Sequence, residues 1–274
     1  MKTPARLAVL LLLVGCATHP RSSPRPSFDV DKILSRDLLR QANHGREVVG
    51  ADGHFVIPRG ARRAWIDVGA HMLETTKTEL TTHDDLVLIA IEPLAECWKL
   101  WPDNPRLIAV PVAISLERGW MDFNVNAANV TSSLLKSVAG NSVDVATRTV
   151  EVRKVPVIRL DDVLERIGPD IDVEYVKTDV QGVDLQVLQS AGESLRRAKG
   201  VRAEVINEAI YQASGQLHPG TEKEFVDYMA SKGFEFVRDD EIWQRRAWLD
   251  KVFVNRQRMG WFWRARRRMA ATFS

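Results

Sequence analysis

Between Ala64 and Ile206 the chain repeats one pattern: a short apolar run, a break at a turn-forming residue, then a stretch with apolar positions at helical spacing. Strands that are hydrophobic on both faces and joined by helices leave few architectures open. They belong to a mostly parallel sheet covered by helices on each side. The runs place strands near Ala64–Val68, Leu86–Ile91, Leu107–Val112, Val173–Thr178 and Gly200–Ile206. Between the third and fourth, Trp120–Val125 and Thr149–Val157 alternate polar and apolar residues, which fits an antiparallel hairpin or excursion rather than another crossover. A last pair, Phe234–Arg238 and Lys251–Asn255, follows a helix over Glu222–Lys232. At 274 residues and 45% apolar content the chain can bury one substantial core, so one doubly wound α/β domain with added ends is expected.

The ends differ from that domain. Residues 1–17 carry Lys2 and Arg6, an apolar run from Leu7 to Val14, and then Gly15-Cys16. The run is roughly half of what a bilayer span needs, so it reads as an export signal, and Leu13-Val14-Gly15-Cys16 resembles a bacterial lipobox whose Cys bears lipid. Export or membrane anchoring through Cys16 is the expectation. Residues 18–27, rich in Pro, Ser and Arg, form a linker. In 28–44, Val30, Ile33, Leu34, Leu38 and Leu39 recur at helical spacing, predicting a helix packed on the edge of a domain spanning 45–256. The tail 257–274 is basic and aromatic, with Arg258, Arg264, Arg266, Arg267 and Arg268 around Trp261, Phe262 and Trp263. Together with Arg256 it suits either an anionic membrane surface or an unstructured basic end. Overall, 38 Lys and Arg against 36 Asp and Glu leave a net charge of +2, which offers no nucleic-acid footprint, so no nucleic-acid partner is expected. Two cysteines exclude a disulfide framework, and Cys97 reads as a structural thiol in a helix.

Three motifs carry chemistry. Trp65-Ile66-Asp67-Val68-Gly69-Ala70 is a buried strand ending in an acid and a glycine, where a tight turn lets backbone approach a ligand at the carboxyl edge of the sheet. Asp67 orders this loop and helps hold the ligand. The next strand ends Ile89-Ala90-Ile91-Glu92-Pro93, placing a carboxylate where it can accept from two ribose hydroxyls. The loop Gly69-Ala70-His71-Met72-Leu73-Glu74 lacks the further glycines that a pyrophosphate requires, which argues against a nicotinamide dinucleotide. Val176-Lys177-Thr178-Asp179-Val180-Gln181-Gly182 then brings a second acid and glycine to the mouth of a fourth strand, where Asp179 serves cofactor or acceptor.

In order and spacing, Ile66-Asp67-Val68-Gly69-Ala70, Ile91-Glu92-Pro93, Val112-Ala113-Ile114-Ser115, Leu160-Asp161-Asp162-Val163-Leu164 and Lys177-Thr178-Asp179-Val180-Gln181-Gly182 resemble the FkbM family of methyltransferases, over about Ala64 to Glu208. The resemblance implies a class I methyltransferase fold with a seven-stranded sheet and S-adenosylmethionine as methyl donor. It further implies transfer to a hydroxyl oxygen of a sugar or small natural product. Asp67, Gly69, Glu92 and Asp179 carry over as cofactor-site positions. Two residues depart from the family pattern: Leu73 stands where a second glycine is common, and Gln181 where Glu is common. Leu73 is expected to narrow the cofactor pocket, and Gln181 to remove a charged contact. These departures also support a second reading, a lipoprotein of the same fold that binds a ligand without turnover.

Methyl transfer to oxygen asks for placement and a base. His71, Asp179, Glu204 and Glu208 are the candidates; Glu204 and Glu208 stand either at the acceptor rim or on one solvated helical face. The polar stretch from Asn124 to Ser133 is either a lid over the site or a surface loop. No ligand spacing predicts a structural metal.

Overall fold

The structure, a computed structural model, describes residues 30–243 and 248–258. The lipobox-like segment, the linker and residues 259–274 of the tail lie outside the described residues. In chain order the helices are α1 (Val30–Ile33), α2 (Arg36–Ala42), α3 (Lys77–Thr82), α4 (Ala95–Trp98), α5 (Asp144–Thr147), α6 (Leu160–Glu165), α7 (Asp184–Ser190) and α8 (Glu222–Ser231). The strands are β1 (Arg63–Val68), β2 (Leu86–Ile91), β3 (Leu107–Val110), β4 (Ala113–Ile114), β5 (Gly119–Asn126), β6 (Thr149–Ile158), β7 (Asp172–Thr178), β8 (Gly200–Ile206), β9 (Phe234–Trp243) and β10 (Trp248–Asn255).

Seven strands form the main sheet in the order β3-β2-β1-β7-β8-β10-β9. The first five are parallel, and β10 runs antiparallel to both β8 and β9. The chain winds outward from β1 to β3, returns, and winds the other way from β7, so the connection reverses between β1 and β7. Crevices open at such reversals, beyond the carboxyl ends of the strands. The unbroken apolar run of β2 follows from burial on both faces: Val87, Ile89 and Ile91 join one core, and Leu88 and Ala90 join the other.

The expected insertion is present as a separate three-stranded sheet, with β6 between β5 and β4. Trp120–Val125 and Thr149–Val157 pair antiparallel within it, although a long excursion rather than a tight turn connects them. The predicted strand Leu107–Val112 is cut short at Val110, and the second sheet begins just after it, at Ala113. Pro111 has no N–H to donate, so β3 ends at Val110 and the chain turns to start β4. β9 runs on to Trp243, past the expected Arg238, because the charged run Arg238-Asp239-Asp240-Glu241 interrupts the apolar pattern while pairing with β10 continues.

One helix was expected over 28–44, and two occupy it. Ser35 breaks the segment by capping α2, its Oγ accepting from the Leu38 N–H at 3.2 Å. The packing on the domain edge has a specific chemistry. The Asn43 amide donates to the Ala109 carbonyl and accepts from the Ala109 N–H, each at 2.8 Å, and so covers the open edge of β3 as another strand would.

Leu73 lies away from the ligand crevice. Its side chain is 1% exposed and packs with Leu80, Leu88, Trp98 and Trp101 in the core beneath the sheet, so it does not narrow the pocket as expected. Its φ of 63° is a left-handed conformation that costs a Leu about 1–2 kcal/mol, whereas emptying its site costs about 2–5 kcal/mol. Leu73→Gly is therefore expected to lower stability by roughly 1–3 kcal/mol while leaving cofactor affinity unchanged. Thermal melts and ligand titration of the variant check this, and tighter ligand binding would contradict it.

Candidate active site

A cavity of about 550 Å³ opens at the carboxyl ends of β1, β2, β7 and β8. Its floor is the loop after β1. Gly69 has φ of 77°, and its N–H, like that of Ala70, donates to the Ile91 carbonyl. A Cβ at Gly69 would stand 1.9 Å from the Asp179 carbonyl oxygen, so the β1 and β7 loops touch backbone to backbone and only glycine fits. Three of the four non-glycine residues with positive φ among the described residues, His71, Leu73 and Gln181, lie in these two loops. Strain gathered at a cavity mouth marks loops held in place by their surroundings.

Glu92 sits at the end of β2, 5% exposed, and lines the cavity. Its Oε2 accepts from the His71 N–H at 3.0 Å and its Oε1 from the Leu94 N–H at 2.9 Å. Each oxygen keeps lone pairs for a diol. Burial pushes the carboxyl up to about 7, against those two N–H groups, which favour the charged form. The carboxylate thus stands where a ribose could be held, beside the apolar lining residues Ile91, Pro93, Leu94, Val112 and Ala113.

Asp67 does not reach the cavity. It is fully buried, and its oxygens accept from Thr76 Oγ1 at 2.7 Å and from Lys177 Nζ at 3.1 Å. Its role is to order the loop, through Thr76 at the start of α3, and to anchor Lys177; direct contact with the cofactor's amino-acid moiety is not its part. Lys177 is the residue that sequence reasoning passed over. It lines the cavity from β7, 7% exposed along its side chain, with Asp67 behind it and Asp179 Oδ2 3.6 Å in front. Burial opposes its charge, but the two carboxylates outweigh burial and hold it firmly protonated. A signal existed: Asp67 stands two residues before Gly69 and Lys177 two before Asp179, and in the sheet the two are direct neighbours.

Asp179 and Glu204 meet at the other end of the cavity. Gln181 bridges them: its Nε2 donates to Asp179 Oδ1 at 2.8 Å and to Glu204 Oε2 at 3.0 Å, while its Oε1 accepts from the Tyr211 hydroxyl at 3.1 Å. The neutral amide stands where a third carboxylate would add repulsion, so the departure at this position creates contacts as well as removing charge. Burial, followed by Asp179, Asp184 and Asp250, raises the Glu204 carboxyl well above its ordinary range, with Lys177 pulling the other way. The one Tyr211 hydroxyl proton is shared between Gln181 Oε1 and the Thr131 carbonyl, 2.7 Å away, and the ring closes on Gly182, where a Cβ would meet it at 3.2 Å. Nothing local in the sequence marks Tyr211 for this role.

His71 and Glu208 are not free bases here. The His71 ring is held between Glu74 Oε1 at 2.7 Å and Asn129 Oδ1 at 3.0 Å, so it ties the first loop to the segment above the cavity. That segment includes a 3-10 turn at Asn129–Thr131; Asn129, Val130, Thr131 and Ser132 wall the cavity, which makes the Asn124–Ser133 stretch a strap over the site. Glu208 is exposed beyond β8 and accepts from Ser142 Oγ. Glu204, within β8, shares no helical face with it. Cys97 is fully buried and its thiol is pushed up to about 12, chiefly by burial. Among the described residues no group of three or more His, Cys, Asp or Glu side chains is placed to hold a metal ion, and no helix is long and apolar enough to cross a membrane.

The sheet order, the glycine loop and the ribose-type carboxylate coincide with a family model: the Methyltransferase FkbM domain matches residues 67–236. The chain belongs to the FkbM methyltransferase family. It is an S-adenosylmethionine-dependent methyltransferase with the class I fold. No curated protein matches the sequence. Among solved structures the FkbM chain is similar to a fibrillarin/NOP5P complex, at 14% identity over 74% of this chain and 77% of that one, TM-score 0.39. It is similar too to magnesium protoporphyrin IX methyltransferase (ChlM) from Synechocystis PCC 6803 with bound SAM, at 10% identity over 85% and 86% of the chains, TM-score 0.38. A third is the 16S rRNA (adenine(1408)-N(1))-methyltransferase W203A mutant from Catenulisporales acidiphilia, at 13% identity over 81% and 91%, TM-score 0.37. Likenesses this distant say nothing of what the FkbM chain methylates. Of the expected tail, Arg256 and Arg258 are paired to the domain through Glu235 and Asp172, which withdraws both from the basic end.

Proposed function

We propose that this methyltransferase acts on a hydroxyl oxygen and that Glu204 receives the hydroxyl proton. S-adenosylmethionine, when bound, supplies a methyl group on a sulfonium. The residues present suit its ends: Glu92 takes the ribose diol, the slot beside Pro93 and Val112 takes the base, and Asp179 with Lys177 offers opposite charges to an amino acid's ammonium and carboxylate. What remains for the protein is to hold the acceptor and take its proton. A hydroxyl is a weak nucleophile until that proton leaves, so a base within reach decides whether oxygen can be methylated.

The observation that carries this reading is the Asp179–Gln181–Glu204 bridge at the cavity wall. A carboxylate raised by burial and like charges is a stronger base once ionised than an ordinary one, and Gln181 and Tyr211 fix its orientation. The strap segment, tied down by His71 and Tyr211, helps keep water from the reacting atoms. With Leu73 in the core and Gln181 fully bonded, neither departure from the family pattern leaves the site unfit for turnover.

Because the Glu204 pKa is raised, the base is ionised only above that value, and activity should fall as pH drops through it, above the ordinary carboxylate range. Single-turnover transfer of labelled methyl groups to a panel of hydroxylated and amino acceptors tests the role. Glu204→Gln is expected to slow transfer to hydroxyls by about 10²–10⁴-fold, with S-adenosylhomocysteine affinity retained. Undiminished transfer in Glu204→Gln, or transfer confined to amines, would overturn the assignment.

A further inference from the structure

The strap over the cavity is fastened unevenly. Toward the β7 loop, Ser133 Oγ donates to the Gln181 carbonyl at 2.7 Å, and the Tyr211 hydroxyl lies 2.7 Å from the Thr131 carbonyl. Just past the strap, the Val138 N–H donates to the Ile210 carbonyl and the Gln212 N–H to that of Lys136. Toward the inserted sheet, the Ala127 and Ala128 N–H groups donate to the Arg148 and Ala146 carbonyls, and Arg153 of β6 grips both carboxylate oxygens of Glu96 on α4 at 2.7 and 2.8 Å. The third side, facing the first loop, is different. Among the described residues one hydrogen bond closes it, between His71 Nε2 and Asn129 Oδ1 at 3.0 Å.

The two halves of that bond are built differently. His71 has a φ of 41°, a left-handed conformation that persists in a residue with a side chain only where neighbours impose it. They do so from three directions: its N–H donates to Glu92 Oε2 at 3.0 Å, its carbonyl accepts from Trp101 Nε1 at 2.8 Å, and ring Nδ1 lies 2.7 Å from Glu74 Oε1. Glu74 is pinned in turn, its Oε2 accepting from the Met72 N–H at 3.1 Å. The ring is therefore a fixed post with Nε2 aimed at the strap. Asn129, on an exposed 3-10 turn, has no second side-chain hydrogen bond among the described residues. It is the half that can let go. Both residues line the cavity, and the bond from His71 to Glu92 sets this seam beside the carboxylate assigned to the ribose.

We propose that this seam is the cofactor's way in and out and that the His71–Asn129 bond is its latch. The strap parts from the first loop to admit S-adenosylmethionine and release S-adenosylhomocysteine, and stays fastened along Gln181 and Tyr211. This rests on the assignment of the Glu92 end of the cavity to the cofactor. A segment opens along the side where the fewest bonds must break, and motions of this kind often set how fast ligands exchange. His71 is then a gating residue. A bond made with the site empty or full slows passage in both directions and cancels from the equilibrium, because a contact shifts binding only by its difference between the two states.

Stopped-flow fluorescence on the full chain, with S-adenosylhomocysteine as the probe, tests the latch, and Trp101 reports on the first loop through its bond to the His71 carbonyl. His71→Ala is expected to raise both kon and koff about three- to tenfold, the worth of one hydrogen bond, with Kd by calorimetry held within about twofold. Asn129→Ala should do the same from the strap, on an exposed turn where the change spares the fold. His71→Gln, whose terminal amide reaches the place of Nε2, should bring back slow exchange. Rates in His71→Ala and Asn129→Ala that match the parent would overturn the proposal. So would a weaker Kd with kon unchanged, which would make His71 a ligand contact instead of a latch. Absence of S-adenosylhomocysteine binding in the parent would overturn the cofactor site itself, so the two failures are told apart.

Discussion

Gly69→Ala should cost this FkbM protein its cofactor site. The added methyl would stand 1.9 Å from the Asp179 carbonyl oxygen, and the obstacle is backbone on a neighbouring loop, so no rotamer change relieves it. Either the β1 and β7 loops part or the first loop flips out of its φ of 77°. Both routes disturb the N–H groups of Gly69 and Ala70 that bond the Ile91 carbonyl, one residue before Glu92. Overpacking and left-handed strain together amount to about 2–5 kcal/mol of stability. The larger effect is on ligand: a displacement near 1 Å at a positioning loop costs binding and rate on the order of 10²-fold. Thermal melting and S-adenosylhomocysteine titration measure the two losses. A variant that binds within about threefold of the parent would show that the loops are not packed against each other as described.

Lys177→Met is expected to be the most destabilising change that leaves the loops' backbone alone. It strands Asp67, fully buried, with Thr76 as its remaining side-chain donor. Removing one partner of a buried pair costs about 3–5 kcal/mol because the other charge is left in a poorly solvating interior. For a domain of this size that is a fall of roughly 6–20 °C in melting temperature. The sign of the double variant is informative. Asp67→Asn with Lys177→Met removes both charges and should recover part of the loss, since the penalty lies in the unpaired charge rather than in the missing contact. If the double variant is as unstable as the sum of the two singles, the pair is not coupled and the account of Asp67 fails.

The sheet was legible because its parallel strands carry apolar runs, clearest in β2 and β3, that stop at a turn-forming residue: Gly69 after β1, Pro93 just after β2, Pro111 after β3. Gly200–Ile206 and β2 were both placed to the residue, β2 because burial on two faces leaves no polar position to blur its ends. Errors arose where a single residue overrides the pattern: Pro111 hands the chain from one sheet to another, and Ser35 divides one helical pattern into two helices. At the site, Gly69 and Glu92 were readable because their chemistry is local to a strand end. Asp67 and Leu73 misled for the opposite reason. Each lies in a ligand-facing motif yet points away from the ligand, and facing depends on the twist of a loop with several positive φ values. Lys177 was hidden in plain view within its motif, and Tyr211 and the Gln181 bridge depend on contacts 30 residues apart in sequence, which no spacing rule reaches.

Titration of the full chain with S-adenosylhomocysteine at pH 6 and pH 8, beside Glu92→Ala and with NADH as a control ligand, is the most direct test of the cofactor site. With the Glu92 carboxyl held near 7, it is mostly protonated at the lower pH and mostly charged at the higher. A charged carboxylate is the better acceptor for ribose hydroxyls, so binding should tighten by about tenfold as pH rises. Glu92→Ala should weaken binding at pH 8 by at least ~1.5 kcal/mol, more than tenfold, and flatten the pH dependence. NADH should not bind. Binding of NADH in place of S-adenosylhomocysteine, or affinity that is unmoved by Glu92→Ala, would contradict the account.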